Sequence, residues 1–192
     1  MELATERLIL REFVEEDWRA ILAYQSTPRY LRFYPWQERA PDDVQAFLGG
    51  FLAWQREQPR ARYQLAIVRR ADGRLIGNCG IRQEHAGDFQ AELGYELDPA
   101  YWGQGYATEV GRAMLAFGFK ELHLHRVWAG CLAENAASAH VLEKLGMRRE
   151  GHLRENQWMK GRWWDTWLYA ILLHEWQALT EPADAGPDCS CG

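Results

Sequence analysis

Tyr101–Glu109, YWGQGYATE, decides how the rest of this chain reads. It follows a strand-like run that ends at Leu97–Asp98–Pro99, and a helical pattern opens near Ala107. Gly103 and Gly105 fall where strand turns into helix. Backbone N–H groups in such a turn lack intrachain partners, and the helix N-terminus adds partial positive charge, so the turn suits a phosphate. A dinucleotide-binding unit would need a third glycine and an acid about 20 residues on, at the end of the next strand. A P-loop would need Gly-Lys-Ser/Thr. Neither pattern is present, so the turn reads as an anion site outside both of those nucleotide folds.

Upstream of the turn, Arg7–Phe13 reads as a strand and Glu15–Gln25 as a helix with Trp18, Ile21 and Leu22 on one face. Tyr30–Trp36 is aromatic and irregular. Pro41–Asp42–Asp43 starts a second helix whose stripe is Val44, Phe47, Leu48, Phe51 and Leu52. Period-two runs Tyr63–Arg69 and Arg74–Gln83 flank the hairpin signal Ala71–Asp72–Gly73, and Gln90–Asp98 is the next strand. Past the turn, a helix runs to about Leu122, with Val110, Met114, Leu115 and Phe119 as its buried stripe. Gly111 and Gly118 would let it lie close to the sheet. His125–Leu132 is a strand, Asn135–Leu145 a short helix stopped by Gly146, and Met147–Glu155 a strand. Met159–Lys160–Gly161 is a turn, and Arg162–Trp176 reads as one long final strand. The expected fold is α/β or α+β: a mixed, largely antiparallel sheet with helices on its faces. Residues 1–179 form one domain, and the polar tail 180–192 is expected to be disordered.

Bulk properties remove several classes of function. The chain has 192 residues, 47% of them hydrophobic, which suits a single globular core. A net charge of −5 argues against broad nucleic-acid binding. No apolar run approaches the roughly 20 residues that span a bilayer. The start MELATERLIL lacks an apolar leader region, so a cytoplasmic protein is expected, with no membrane association. Cys79 and Cys131 read as reduced core residues, and Cys189 and Cys191 lie in the tail. The six His are expected to lack close acidic partners, so no metal site is expected.

The strand His125–Leu132 leads into Glu134–Met147, ENAASAHVLEKLGM, where Asn135 stands at the N-cap of the short helix. Two roles are open to it: capping alone, or holding a ligand with its amide.

Taken together, YWGQGYATE and, about 30 residues later, ENAASAHVLEKLGM resemble the GNAT acyltransferase superfamily. TERLILREF, AELGYELDPAYWGQGYATE and REGHLRE…KGRWWDTWLYAIL resemble its RimJ/RimL-like branch in the same order, from roughly Thr5 to Trp176. The resemblance implies a sheet of about six to seven strands with about four helices and splayed central strands. It implies acetyl-CoA as acyl donor, with the pyrophosphate held at Gly103, Gln104, Gly105, Tyr106, Ala107 and Thr108. The pantetheine arm would pair with the chain near Leu97 and face Asn135 and Ser138. Many family members carry Gln or Arg where this chain has Trp102, so one phosphate-facing side chain is lost while the backbone cradle is kept.

The implied chemistry is attack of an amine on a thioester. An alkyl amine has a pKa near 10 and an α-amine near 8, so a carboxylate must help remove a proton. Glu92 best matches the family's base, and Glu96 lies on the same strand face as a second choice. The Tyr that many members use as acid is replaced by Leu142, and Ser138 is the substitute seen in this branch. Where some members of the branch carry another carboxylate, this chain has Gln157. Of the aromatic set, Trp158, Trp163, Trp164 and Trp167 read mostly as core or rim, and Phe33, Tyr34 and Trp36 as candidates for an acceptor cleft. The acceptor is a small-molecule or peptide amine, and a homodimer is left open. The rival readings are a non-catalytic acyl-CoA-binding or sensing module and a nucleotide-binding protein.

Overall fold

The computed structural model describes residues 1–180. Eight strands form one sheet in the order β1-β2-β3-β4-β5-β6-β8-β7. They are β1 (Glu2–Ala4), β2 (Leu8–Arg11), β3 (Arg62–Arg69), β4 (Leu75–Arg82), β5 (Gln90–Leu97), β6 (Arg126–Leu132), β7 (Arg148–Met159) and β8 (Arg162–Leu172). Every neighbouring pair is antiparallel except β5 and β6, which run parallel. A parallel pair needs a crossover connection, and the one between β5 and β6 is the segment that begins with YWGQGYATE.

Helices cover both faces. On one side α1 (Trp18–Gln25), α2 (Pro28–Leu31) and α3 (Pro41–Trp54) pack Ile21, Tyr24, Val44, Leu48 and Phe51 against Ala66 and Val68. On the other, α4 (Tyr106–Lys120), α5 (Ala136–Lys144) and α6 (Leu173–Thr180) pack against Leu65, Ile67, Ile81, Leu93 and Val127. The whole expected stripe of α4, Val110, Met114, Leu115 and Phe119, is buried. Gly118 lets the helix touch the sheet: a Cβ there would sit 2.6 Å from Ile81 Cδ1. Gly111 does something else than expected, for it faces Leu145 at the end of α5 rather than the sheet.

The architecture is the expected mixed one, with more elements: eight strands and six α-helices among the described residues. β1 has only three residues, too few for a period to register in the sequence. The expected long strand Arg162–Trp176 is corrected. β8 ends at Leu172, and Leu173–Thr180 is helical. Leu172, His174 and Trp176 happen to continue a period of two, but the Glu175 carboxylate accepts the Leu172 N–H at 3.0 Å and turns the chain. Trp176 then packs on Phe119, ring centroids 5.2 Å apart. The tail expected to be disordered lies, apart from Thr180, outside the described residues, and Cys189 and Cys191 with it. No helix among the described residues is long and apolar enough to cross a membrane.

Gly118→Val should overpack the α4–sheet contact and lower the unfolding free energy by roughly 1–3 kcal/mol, measured by denaturant titration with an unchanged m-value.

Candidate functional site

Parallel pairing of β5 with β6 stops after three rows, Gln90↔Arg126, Ala91↔Val127 and Glu92↔Trp128. Past that point β5 stays paired to β4 and β6 stays paired to β8, so the two strands part. The Asp98 N–H bonds the Ile76 carbonyl at 2.8 Å, so alternate residues of β5 point their backbone groups toward β4. Leu93, Tyr95 and Leu97 therefore point theirs into the gap. A cleft of about 1450 Å³ opens there, bounded by β5, the Gly103–Thr108 turn, the start of α5 and the β7–β8 hairpin.

The wide end of the gap is the turn. Gly103 and Gly105 have φ of +75° and +82°, a left-handed conformation that favours glycine. The first helical bond of α4 runs from the Glu109 N–H to the Gly105 carbonyl. Gly103, Gln104, Gly105, Tyr106, Ala107 and Thr108 keep backbone N–H groups with no partner among the described residues. A strut fixes this turn from below. The Arg7 guanidinium donates to Glu109 Oε2 at 2.7 Å and to the Gln104 carbonyl at 3.0 Å, and lies 4.3 Å from the Tyr106 ring centroid. The Thr5 hydroxyl and the Arg7 N–H donate to Glu109 Oε1 at 2.6 and 2.9 Å. Burial works against the Glu109 charge, but these hydrogen bonds hold its carboxyl below the ordinary carboxylate range. The strut joins two stretches singled out in the sequence, TERL and the turn, with no signal in either that they meet.

Trp102 folds back from the turn and donates its indole N–H to the Leu97 carbonyl at 2.8 Å. The open group of Leu97 is then its N–H, while its carbonyl is already engaged. Across the gap, Asn135 Oδ1 accepts the Ser138 N–H at 3.1 Å, so Asn135 caps α5. Its side-chain nitrogen has no partner among the described residues and borders the cleft. Ser138 Oγ lies 3.0 Å from the Tyr95 hydroxyl of β5. Tyr95 escaped notice in the sequence because its partner is 43 residues away. Leu142 is only 1% exposed, inside the core, and does not line the cleft.

The two carboxylates of β5 sit on one face in opposite circumstances. Glu96 accepts hydrogen bonds from the Tyr24 hydroxyl (2.6 Å), the Gln25 amide (2.8 Å), the Tyr30 hydroxyl (2.6 Å), the Tyr34 hydroxyl (3.2 Å) and the Asn78 amide (2.6 Å). A carboxylate offers about four lone-pair sites, so Glu96 is saturated. Burial first, and the Glu96 charge second, push the phenols of Tyr24, Tyr30 and Tyr34 far up and keep them neutral donors. Glu92 stands at the vertex of the gap with a side chain 38% exposed. Arg82 holds its Oε2 at 3.1 Å, and Oε1 has no partner among the described residues. Glu92, Asn135, Ser138, Leu97 and most of the turn thus border one cleft. Gln104 does not line it, although its N–H belongs to the same turn.

Tyr30, Phe33 and Tyr34 line the cleft on one side and Leu153, Asn156 and Gln157 on the other. Lys160 ties these walls together by donating to the Leu31 carbonyl at 2.6 Å. Trp36 stacks behind Tyr34 with centroids 5.2 Å apart, and does not line the cleft. Trp164 is buried, whereas Trp158 and Trp163 are exposed and pack edge to face on the hairpin tip. One expectation from the histidines fails: His152 Nε2 lies 2.6 Å from Asp165 Oδ2, partners brought together by β7–β8 pairing, and His85 and His140 lie 3.7 and 3.9 Å from Asp88 and Glu143. Among the described residues no group of three or more His, Cys, Asp or Glu is placed to hold a metal.

The family model for the acetyltransferase (GNAT) domain matches residues 7–148. An uncharacterised N-acetyltransferase of Bacillus subtilis, YnaD, is 35% identical over 92% of this chain and 99% of its own. The ribosomal protein uS5-alanine N-acetyltransferase of Escherichia coli is 25% identical over 92% of this chain and 93% of its own. A GNAT-family acetyltransferase structure from Bacillus anthracis superposes with a TM-score of 0.79 at 31% identity, covering 91% of this chain and 99% of that one.

Because Glu96 satisfies three hydroxyls and two amides, Glu96→Ala should destabilise the protein by roughly 3 kcal/mol or more through the buried donors it orphans. Thermal and denaturant unfolding measure this; a loss below about 1 kcal/mol would mean that water replaces the carboxylate without cost.

Proposed function

The chain belongs to the GNAT acetyltransferase family, in its RimJ/RimL-like branch, and from that premise we propose that it moves the acetyl group of acetyl-CoA to a primary amine by direct attack in a ternary complex. Membership makes it an acetyltransferase. The proposal concerns the donor, the route and the residues.

The carrying observation is the run of unpartnered N–H groups from Gly103 to Thr108, opening onto the cleft that Glu92 and Ser138 also border. A Cβ on Gly103 would meet nothing within 4 Å, so the turn has room for a bulky anion. Six amides at a helix start, held rigid by Arg7 and Glu109, suit a pyrophosphate. The pantetheine arm carries amides, and the unpaired edge of Leu93, Tyr95 and Leu97 offers partners of strand type. Leu97 contributes its N–H there, since Trp102 engages its carbonyl. Asn135 presents its side-chain nitrogen to the same arm.

Glu92 is the base on this reading. Its free Oε1 receives the amine proton, directly or through water, and Arg82 fixes its Oε2. Glu96 is excluded by its five donors and instead anchors α1 and α2 to the sheet. As the nitrogen–carbon bond forms, the carbon–sulfur bond breaks and its electron pair leaves on sulfur. The Ser138 hydroxyl supplies the proton that sulfur takes and is restored from water, to which Glu92 passes the amine proton. Backbone N–H groups along the parted edge of β5 would donate hydrogen bonds to the negative charge that develops on the carbonyl oxygen.

The acceptor is an amine of a peptide N-terminus or a small molecule, received between the Tyr30–Trp36 stretch and the Glu155–Trp164 hairpin. Tyr30 and Tyr34 give that wall neutral hydroxyl oxygens, which can accept a hydrogen bond from an amine. The Escherichia coli relative acts, by its name, on an alanine of a ribosomal protein. A cytoplasmic setting agrees with Cys79 and Cys131, both free and buried. A non-catalytic module has no support among the relatives, which carry the acetyltransferase name.

Gly105→Glu should abolish acetyl-CoA binding by calorimetry, since a side chain at φ +82° is strained and its Cβ would meet Arg7 Nη2 at 3.4 Å, displacing the strut that holds the amides; unchanged affinity would remove the cradle assignment. Glu92→Gln should lower kcat/KM about a hundredfold at neutral pH and recover part of it as pH rises toward the amine pKa, where the neutral amine no longer needs a base. A pH profile parallel to that of the parent would remove Glu92 from that role.

A further inference from the structure

We propose that the Tyr95 hydroxyl is a positioning group that aims the Ser138 proton into the cleft. The inference rests on the reading of Ser138 as the donor to sulfur. Tyr95 reaches from β5 across the gap to the first turn of α5 and meets Ser138 twice, its carbonyl at 3.2 Å and its Oγ at 3.0 Å. The phenol has one proton and two acceptors on the same residue. When Tyr95 donates to Ser138 Oγ, the serine proton is left free to point into the cleft. When Tyr95 donates to the Ser138 carbonyl, the serine proton turns to the phenol oxygen and away from the cleft. The proton arrangement on one tyrosine thus decides whether Ser138 is armed.

Other features keep this pair from dissolving into the helix. A helical serine ordinarily donates to a carbonyl three or four residues back, which would point its proton along the helix. Ser138 makes no such bond; its Oγ has Tyr95 as its partner among the described residues. Its backbone is fixed by the Asn135 cap. Burial pushes the Tyr95 phenol up to about 12, with the Ser138 hydrogen bond opposing the rise, so the group stays protonated across the working range. A proton leaving Tyr95 itself is not required: it lends orientation, while the serine proton goes to sulfur.

Tyr95→Phe keeps the ring and removes the oxygen. With acetyl-CoA and an accepted amine, it should lower kcat about tenfold, leave KM for acetyl-CoA within about twofold, and leave the melting temperature near the parent value. Tyr95→Phe in a Ser138→Ala background should cost nothing further. With the acetyl thioester of an acidic aromatic thiol, whose thiolate departs without a proton, the Tyr95→Phe loss should shrink toward nothing. Parental turnover in Tyr95→Phe, or an equal loss in the Ser138→Ala background, would overturn the inference while leaving the Ser138 assignment intact. Parental turnover in Ser138→Ala would overturn that assignment and the inference with it.

Discussion

Everything in this molecule that bears on chemistry depends on the place where β5 and β6 stop pairing, after Glu92 and Trp128. Backbone N–H and C=O groups that lose a sheet partner must find another or stay in water. The fold answers in two ways. It spends one carbonyl on a side chain, as Leu97 accepts from Trp102, and leaves the rest facing an open cleft. The side chains that cross the parting, Tyr95 above all, keep the two halves at a fixed separation without closing it. An edge held open in this way is a template for an extended, amide-bearing ligand. The turn at Gly103–Thr108 sits where such a ligand would leave the sheet.

Glu92 and Glu96 show how environment, not residue type, sets what a carboxylate does. Both lie on β5 and both bond across to β4, to Arg82 and Asn78 respectively. Glu96 additionally faces α1 and α2, whose phenols and amide fill its lone pairs. Its charge is the reason three tyrosines converge, and they give the helices a polar attachment that hydrophobic packing alone would leave free to slide. Glu92 faces the vertex of the cleft, where no helix covers it. One residue therefore organises the wall and the other is left with an oxygen to use.

What was legible in the sequence was local. A glycine turn before a helix, an Asn cap with its own i+3 amide, and alternation along β5 are read over a few residues, and all three stand in the structure. The missed features are contacts between distant segments of chain: Thr5 and Arg7 with Glu109, Tyr95 with Ser138, and the phenols of Tyr24, Tyr30 and Tyr34 with Glu96. Periodicity says which face a residue occupies and nothing about who stands opposite. The start of α6 was misread for the same reason, because the Glu175 carboxylate that turns the chain works against the pattern. What TERLILREF does is supplied only by the structure: Thr5 and Arg7 brace the turn.

The two halves of the cleft also differ in how they are built, and this explains why one was legible in the sequence and the other was not. The half we propose for the donor is made of backbone: amides at Gly103–Thr108 and the edge of Leu93–Leu97. Backbone geometry is dictated by glycine, proline and capping residues, which leave marks in a sequence. The half we propose for the acceptor is made of side chains on two segments that the chain brings together from far apart, Tyr30–Tyr34 and the β7–β8 hairpin. A single latch, Lys160 to the Leu31 carbonyl at 2.6 Å, sets their spacing. The shape of that mouth follows from the latch, from Phe33 packing with Leu132, Met159 and Trp164, and from the ion pair of Glu134 with Arg162 at 2.7 Å. None of these contacts involves a residue of the Gly103–Thr108 turn, so the two halves of the cleft are braced independently.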